Sequence, residues 1–165
     1  MIENNYFDIK EDEDSNLLLE FNNDQHWFNG LTGNPQYSEV DYKADDIKGR
    51  RVHLELKQRK GTIKQFEAWE DVLIEPSKVA AFTKIMESGY TNNEKVLYVN
   101  FVDDGIIIFD IDKIPYYKNY PNHKQRNYGK RTIEHETRLG IPMTCAIIFK
   151  KDNNKHYTRY IQFQS

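Results

Sequence analysis

The chain has 165 residues, a length that suits one domain with a single core. Its residues are 38% apolar and 13% aromatic, with 8 Gly and 5 Pro, which excludes collagen-like, low-complexity and disordered chains. The sequence has no apolar run long enough for a transmembrane helix, and its first residues lack the features of a secretory signal. We therefore expect a soluble, cytoplasmic protein with no membrane partner.

The formal net charge of −3 conceals two basic blocks. Residues 48–64 carry seven basic side chains and one acidic, and residues 118–165 carry ten basic and three acidic. Such blocks suit a polyanion, because each phosphate that is neutralised releases condensed counterions. A protein with 30% charged residues also forms solvated faces of both signs, so charge alone leaves both interpretations open.

The N-terminal segment predicts a short helix after an acidic tail. Residues 1–14 are polar and acidic, and we expect them to be frayed, with a single folded domain over 15–165. The spacing of apolar residues predicts a helix near 15–22. The Asn-, Gly- and Pro-rich stretch 22–35 is typical of a loop.

Alternating polar and apolar residues then predict strands. Residues 37–44 and 51–57 alternate around a turn at 45–49, which indicates a hairpin. Residues 66–74 favour a further strand, although their Glu-rich pattern would also allow a helix.

The second half predicts one helix and two hairpins. Pro76 and Ser77 suit a helix start, apolar spacing continues to Met86, and Gly89 lies beyond the end. Strands at 96–102 and 106–111 form the first predicted hairpin. Residues 115–140 then predict a surface loop that contains a short helix at 132–139. Residues 143–149 and 156–163 form the closing hairpin.

One triplet in the second predicted strand has the composition of a catalytic site. In Glu55-Leu56-Lys57, the period of a strand places the carboxylate and the ammonium on one face. Asp41 on the neighbouring strand would complete a set of oxygen ligands for Mg²⁺, together with the Leu56 carbonyl and water. The ion would activate water, and Lys57 would orient it or stabilise charge on a phosphate.

The triplet alone is weak, because an acidic residue two positions before a lysine also occurs at Asp8, Asp41 and Asp46. Only at Glu55 does it follow a predicted strand and turn, with Arg59 and Lys60 continuing the basic character. The competing interpretation is an ordinary cross-strand ladder of ion pairs on a solvated sheet face.

With this arrangement, the segment from about residue 15 to 112 resembles the PD-(D/E)XK nuclease superfamily, which includes restriction endonucleases, archaeal Holliday-junction resolvases and phage exonucleases. The resemblance implies an α/β, restriction-endonuclease-like fold, with a mixed central sheet flanked by helices. Here a C-terminal β-hairpin would be added. The implied core order is helix, three strands, helix and strand, the third strand corresponding to 66–74.

The resemblance also implies residue roles. Asp41 takes the place of the first acid of the motif, Glu55 that of the second, and Lys57 that of the lysine. Glu20 would correspond to an acid that many members carry on their first helix, and would be a further metal ligand. Val40 stands where the motif has Pro, and Glu39 is an alternative first ligand.

The implied function is that of a Mg²⁺-dependent deoxyribonuclease, with Mn²⁺ a possible substitute, and of an endonuclease rather than an exonuclease. A homodimer would also fit, because many relatives cut two strands. The alternatives are a non-catalytic nucleic-acid-binding or protein-interaction module on the same fold, and a protein whose acidic N-terminal segment recruits a basic partner. Six basic residues would bind the DNA backbone: Arg59, Lys60, Lys124, Arg126, Lys130 and Arg131. The tyrosines near the last four suit stacking on bases, or a loop that packs over the sheet.

Overall fold

The computed structural model describes residues 6–35, 38–88, 94–127 and 131–161. The helices are α1 (Tyr6–Gln25), α2 (Ile63–Trp69) and α3 (Pro76–Ser88). The strands are β1 (Phe28–Gly33), β2 (Tyr42–Asp46), β3 (Arg51–Gln58), β4 (Asp71–Ile74), β5 (Lys95–Val102), β6 (Gly105–Asp110), β7 (Lys118–Asn127), β8 (Thr132–Pro142), β9 (Ile147–Lys151) and β10 (Tyr157–Tyr160).

The main sheet has seven strands in the order β1-β2-β3-β5-β6-β9-β10. Among the described strands, only β3 and β5 pair in parallel, and their connection contains α3, as a parallel crossover requires. The other neighbours pair antiparallel, and β9 and β10 form the closing hairpin. The predicted α/β class, with a mixed central sheet, flanking helices and a C-terminal β-hairpin, is therefore confirmed.

Two hydrophobic clusters lie on opposite faces of this sheet. One joins α1 to alternate residues of the strands, and includes Leu18, Phe21, Val52, Leu54, Leu56 and Leu97. The other joins α2, α3 and β4 to the opposite face, and includes Phe66, Ile74, Phe82, Val96, Tyr98 and Ile107. In β3 the apolar residues face α1, which leaves the intervening positions facing α3.

A second sheet of three strands, in the order β4-β8-β7, contains a long antiparallel ribbon. The prediction of a loop and a helix in this region is wrong, because residues 132–142 form β8. The first residues of β8 are exposed and only its last ones are buried against β4, so no simple alternation marks the strand.

Three other predictions near the N-terminal half are corrected. The helix begins at Tyr6, within the segment expected to be frayed, and its acidic residues concentrate towards its N-terminus, where the helix dipole favours negative charge. The predicted loop contains β1. The strand expected at 66–74 begins as α2, because Thr62 and Gln65 form a reciprocal capping box, and only β4 is extended.

The predicted core order is corrected at its third strand: 37–44 and 51–58 correspond to β2 and β3, but 66–74 holds the end of α2 and then β4, which belongs to the three-stranded sheet. The main sheet instead gains β1 before β2, so that α1, β1 to β3, α3 and β5 follow one another in the chain with α2 and β4 inserted between β3 and α3. Within the described part of the chain, none of the helices combines the length and apolarity needed to cross a membrane.

Candidate functional site

Asp41 and Glu55 are held side by side by the backbone of β3. Asp41 precedes β2, and its amide donates to the carbonyl of Leu54, 3.0 Å away. Its carboxylate Oδ2 accepts a hydrogen bond of 2.8 Å from the amide of Leu56. Because these two contacts flank Glu55, Asp41 lies next to it, as the hairpin prediction requires.

Glu55 is a buried acid with one oxygen unused. The residue is only 8% exposed, and its Oε1 lies 2.6 Å from Nζ of Lys78 in the first turn of α3. Oε2 is buried and has no hydrogen-bond partner among the described residues. Burial, reinforced by the negative charge of Asp41, raises the pKa of Glu55 to about 7, and Lys78 and Lys57 only partly oppose this.

The electrostatics join four residues into one group. Burial raises the pKa of Asp41, whereas the Leu56 amide and the charges of Lys78 and Lys57 act in the opposite direction. Asp41, Glu55, Lys57 and Lys78 are therefore close enough to influence one another, and we call them the carboxylate–lysine cluster. Two acids at one place, with unequal environments, are typical of acid–base or metal sites.

The cluster borders two cavities. Glu55, Lys57 and Lys78 line one of about 310 Å³, and Arg138 from β8 also contributes to its wall. Asp41 lines a second cavity of about 220 Å³, together with Leu56 and residues of α1. The larger cavity has more basic than acidic side chains in its wall, so it suits an anionic group.

Two carboxylates and a backbone carbonyl fit Mg²⁺, which is commonly bound through one or two carboxylates and retains several waters. Asp41, Glu55 and the Leu56 carbonyl supply such oxygens, and the unused Oε2 of Glu55 is the observation that favours a cation there. Among the residues described, no three His, Cys, Asp or Glu side chains converge as a metal-binding group.

Glu20, the predicted additional ligand, lies elsewhere. Its Oε1 is 2.7 Å from Nζ of Lys151 and accepts a 3.1 Å hydrogen bond from the hydroxyl of Tyr157. These partners belong to β9 and β10 at the edge of the main sheet away from β2. The acid of α1 that borders the cavity of Asp41 is Asp14 instead.

Arg59 is tied into the fold. Its Nε donates to Oδ1 of Asn100 at 2.7 Å, and Nη2 donates to the Tyr98 hydroxyl at 2.7 Å and to the carbonyl of Leu73. Asn100 is fully buried. The guanidinium therefore joins β3, β4 and β5, while still forming part of the wall of the larger cavity.

The other predicted DNA contacts lie on the surface or outside the described residues. Lys60, Lys124 and Arg131 are exposed. Arg126 is in the backbone of β7, but its side chain lies outside the described residues, as does the whole of Lys130. Glu39, the alternative first ligand, is exposed and lines neither cavity of the cluster.

Sequence reasoning missed Lys78 and the contribution of the ribbon. Lys78 follows a strong helix start at Pro76, but only the crossover from β3 to β5 places that start over Glu55. His123 of β7 and Arg138 of β8 reach the larger cavity because β8 pairs with β4.

Known proteins offer little guidance. No family model and no curated protein matches the chain. Among solved structures, the chain is similar to a Holliday junction resolvase, Hjc from Archaeoglobus fulgidus, an archaeal hyperthermophile, with 12% identity and a TM-score of 0.48 over 81% of this chain and 84% of that one. Similarity at this level does not establish a shared family or activity.

Proposed function

We propose that the chain is a metal-dependent nuclease of the PD-(D/E)XK type that hydrolyses DNA phosphodiester bonds at the carboxylate–lysine cluster. The observation that carries this proposal is Glu55: a buried carboxylate with one oxygen unused, next to Asp41 and close to two lysines. The order of helices and strands around the cluster supports the same family. A homodimer and endonucleolytic cleavage are parts of the proposal that come from the family resemblance.

In this proposal each residue has a distinct role. Asp41, Glu55 and the Leu56 carbonyl hold Mg²⁺ or Mn²⁺, which supplies Lewis-acid polarisation of the phosphate and of the attacking water. Lys57 lies in the wall of the larger cavity, where its ammonium stabilises negative charge that develops on the phosphate. Lys78 is a positioning residue, because it binds Glu55 Oε1 and keeps that side chain in one orientation.

A second candidate is a non-catalytic DNA-binding module on the same fold. The absence of a third converging ligand side chain, within the described part of the chain, favours this alternative. It predicts salt-dependent DNA binding that needs neither a metal nor Glu55.

The test is cleavage of supercoiled, linear, single-stranded and four-way-junction DNA with Mg²⁺, with Mn²⁺ and with EDTA. Wild type is compared with Glu55→Gln and Lys57→Ala, and with Lys84→Ala as a control that removes an exposed lysine from α3. Cleavage that needs the metal, Glu55 and Lys57, and survives Lys84→Ala, supports the nuclease. Intact DNA in every reaction, or equal cleavage by all variants, contradicts it.

Lys124 tests the proposed DNA-binding surface. It is exposed on the ribbon, and a two-stranded ribbon fits the major groove of DNA. If it contacts a phosphate, Lys124→Ala should lower the slope of log affinity against log salt by about 0.9. Fluorescence anisotropy at several salt concentrations measures this slope, and an unchanged slope removes Lys124 from the interface.

Arg59 should behave differently from Lys124. Arg59→Ala leaves the buried Oδ1 of Asn100 without its donor, so we expect a loss of about 2–3 kcal/mol in the free energy of unfolding. Urea denaturation measures this loss. Full stability with weaker DNA binding would instead assign Arg59 to the interface.

A further inference from the structure

A cavity unrelated to the carboxylate–lysine cluster lies on the α1 side of the main sheet. It has a volume of about 460 Å³, within the range of small-molecule sites. Val52 and Leu97, near the starts of β3 and β5, form part of its floor, and Asp110 at the end of β6 lines it. Glu55 packs instead against Lys78 of α3, on the other face, so the two sites are separate.

Asp110 places a buried carboxylate with one unpartnered oxygen, among the described residues, in the wall of this cavity. The residue is only 6% exposed, and its Oδ2 lies 3.5 Å from Nζ of Lys95 and 3.9 Å from Nζ of Lys113. Its Oδ1 is buried and has no hydrogen-bond partner among the residues described. Buried carboxylate oxygens are normally satisfied, so we expect this atom to accept from a donor outside the described residues, either water or a ligand.

The rim of the cavity attracts an anion. It carries Lys48, Arg50, Lys95 and Lys113 against the acids Asp46 and Asp110. Asp46 is engaged within its own turn, since Oδ1 accepts hydrogen bonds of 2.9 Å from the amides of Lys48 and Arg50. A ligand that combines a negative group with a hydrogen-bond donor would therefore suit this cavity.

The floor of the cavity is apolar and partly aromatic. Trp27, Phe28, Val52, Leu97 and Ile147 contribute to it. A flat ring is the group that such a floor accommodates best, whereas a sugar phosphate would place hydroxyl groups against it.

We propose that this cavity binds a nucleoside phosphate whose base carries an exocyclic amine. The amine donates to Oδ1 of Asp110, the base lies on the apolar floor beside Trp27, and the phosphate is held by the basic rim. A carboxylate that accepts from the N4 amine of cytosine is a familiar base contact. Cytosine and uracil make a matched pair, because they differ at this position by an amine and a carbonyl.

Isothermal titration calorimetry with CMP, UMP, ribose 5-phosphate and inorganic phosphate tests the proposal on the full chain. We expect CMP to bind about tenfold more tightly than UMP, and both to bind more tightly than ribose 5-phosphate. Equal affinity for CMP and UMP, or binding of inorganic phosphate as tight as that of CMP, overturns the proposal.

Asp110→Asn gives the sharper test. The carbonyl of the new amide would face the ammonium of Lys95, 3.5 Å from Oδ2 in the wild type, which places its NH₂ at the position of Oδ1. The variant should therefore prefer UMP, whose O4 accepts, to CMP. An unchanged preference for CMP in the folded variant, as judged by circular dichroism, contradicts the assignment of Asp110.

Lys113→Ala keeps the test decisive if Asp110→Asn fails to fold. Lys113 has a side chain that is 77% exposed, so its removal should not unfold the protein. We expect it to weaken both CMP and UMP, and Lys84→Ala to weaken neither. Unchanged affinity in Lys113→Ala, or equal weakening in both lysine variants, contradicts a specific phosphate contact.

Short DNA oligonucleotides beginning with 5′-phosphorylated deoxycytidine or thymidine distinguish the source of the nucleotide. A preference for deoxycytidine over thymidine in the oligonucleotides that exceeds the preference for CMP over UMP indicates the end of a strand, and a smaller one indicates a free nucleotide. Either result supports the site, whereas loss of discrimination between cytosine and its partner base in both forms overturns it.

Discussion

Glu55 and Asp110 are two buried carboxylates with similar burial and different charged neighbours. Each has one oxygen near a lysine and one buried oxygen without a partner among the described residues. The neighbour of Glu55 is a second carboxylate, Asp41, whereas the neighbour of Asp110 is a second lysine, Lys113. If both proposals hold, the comparison teaches that a second carboxylate beside a buried acid favours a cation even with lysines nearby, whereas an acid with only lysines beside it favours an anion with a donor group.

The largest effect should come from making Glu55 more like Asp110 by removing its acidic neighbour. In Asp41→Asn, the pKa of Glu55 should fall below about 7, because a repelling charge is lost while burial remains. Metal affinity should fall because a ligand is lost, and cleavage should fall by at least about 100-fold. NMR titration, Mg²⁺ calorimetry and cleavage assays measure the three effects.

A cleavage rate that survives Asp41→Asn would show that Asp41 is not a ligand. A pKa of Glu55 that does not fall would show that the two acids are too far apart to interact, and would remove the basis of the comparison.

The pH dependence of stability should separate Glu55 from an ordinary acid. Its folded pKa of about 7 exceeds the ordinary value of 4.5, so between these values the folded state holds more protons than the unfolded state. Stability therefore falls as pH rises through this window, by up to about 3 kcal/mol from this residue. Glu55→Gln should remove that part of the decline, measured by urea denaturation from pH 4 to pH 8.

The matched control is Glu87→Gln, which removes an exposed carboxylate from α3 and reports the effect of one charge on overall stability. If wild type and Glu55→Gln show the same decline after this correction, the pKa of Glu55 is not raised in the folded protein.

The smallest effect should come from Lys78, the counterpart of Lys95 at the other carboxylate. Lys78→Ala removes a favourable partner of ionised Glu55, so the pKa of Glu55 should rise further. The midpoint of the pH–rate profile should move upward by about one pH unit, with activity restored at higher pH. A loss that persists at every pH would make Lys78 a catalytic residue rather than a positioning one.

Part of the candidate site follows from local pattern alone. In β3 the alternation of Val52, Leu54 and Leu56 with charged residues predicts which side chains share a face, and the turn before it predicts that Asp41 lies alongside. Glu20 shows the limit of this reasoning. A helix can be recognised from its apolar face, but which strand an acid meets depends on how the helix crosses the sheet.

Long-range pairing decided the elements that were predicted wrongly. β1 is polar and mostly exposed, and becomes a strand by pairing with β2. The ribbon of β7 and β8 shows no regular alternation of polar and apolar residues, because much of it is exposed on both faces. For α2, a local capping signal at Thr62 outweighed the strand-like residues that follow.

The sequence by itself determined the α/β class, the alternation that places Glu55 and Lys57 on one face, the start of α3 and the three predicted hairpins, because these depend on residues close together in the chain. Only the tertiary structure decided that Lys78 binds Glu55, that Arg59 is tied to buried Asn100, and that Asp110 lies among lysines. Those contacts join residues of different elements, and their positions are set by the crossover, the strand order and the packing of the two faces rather than by any local pattern.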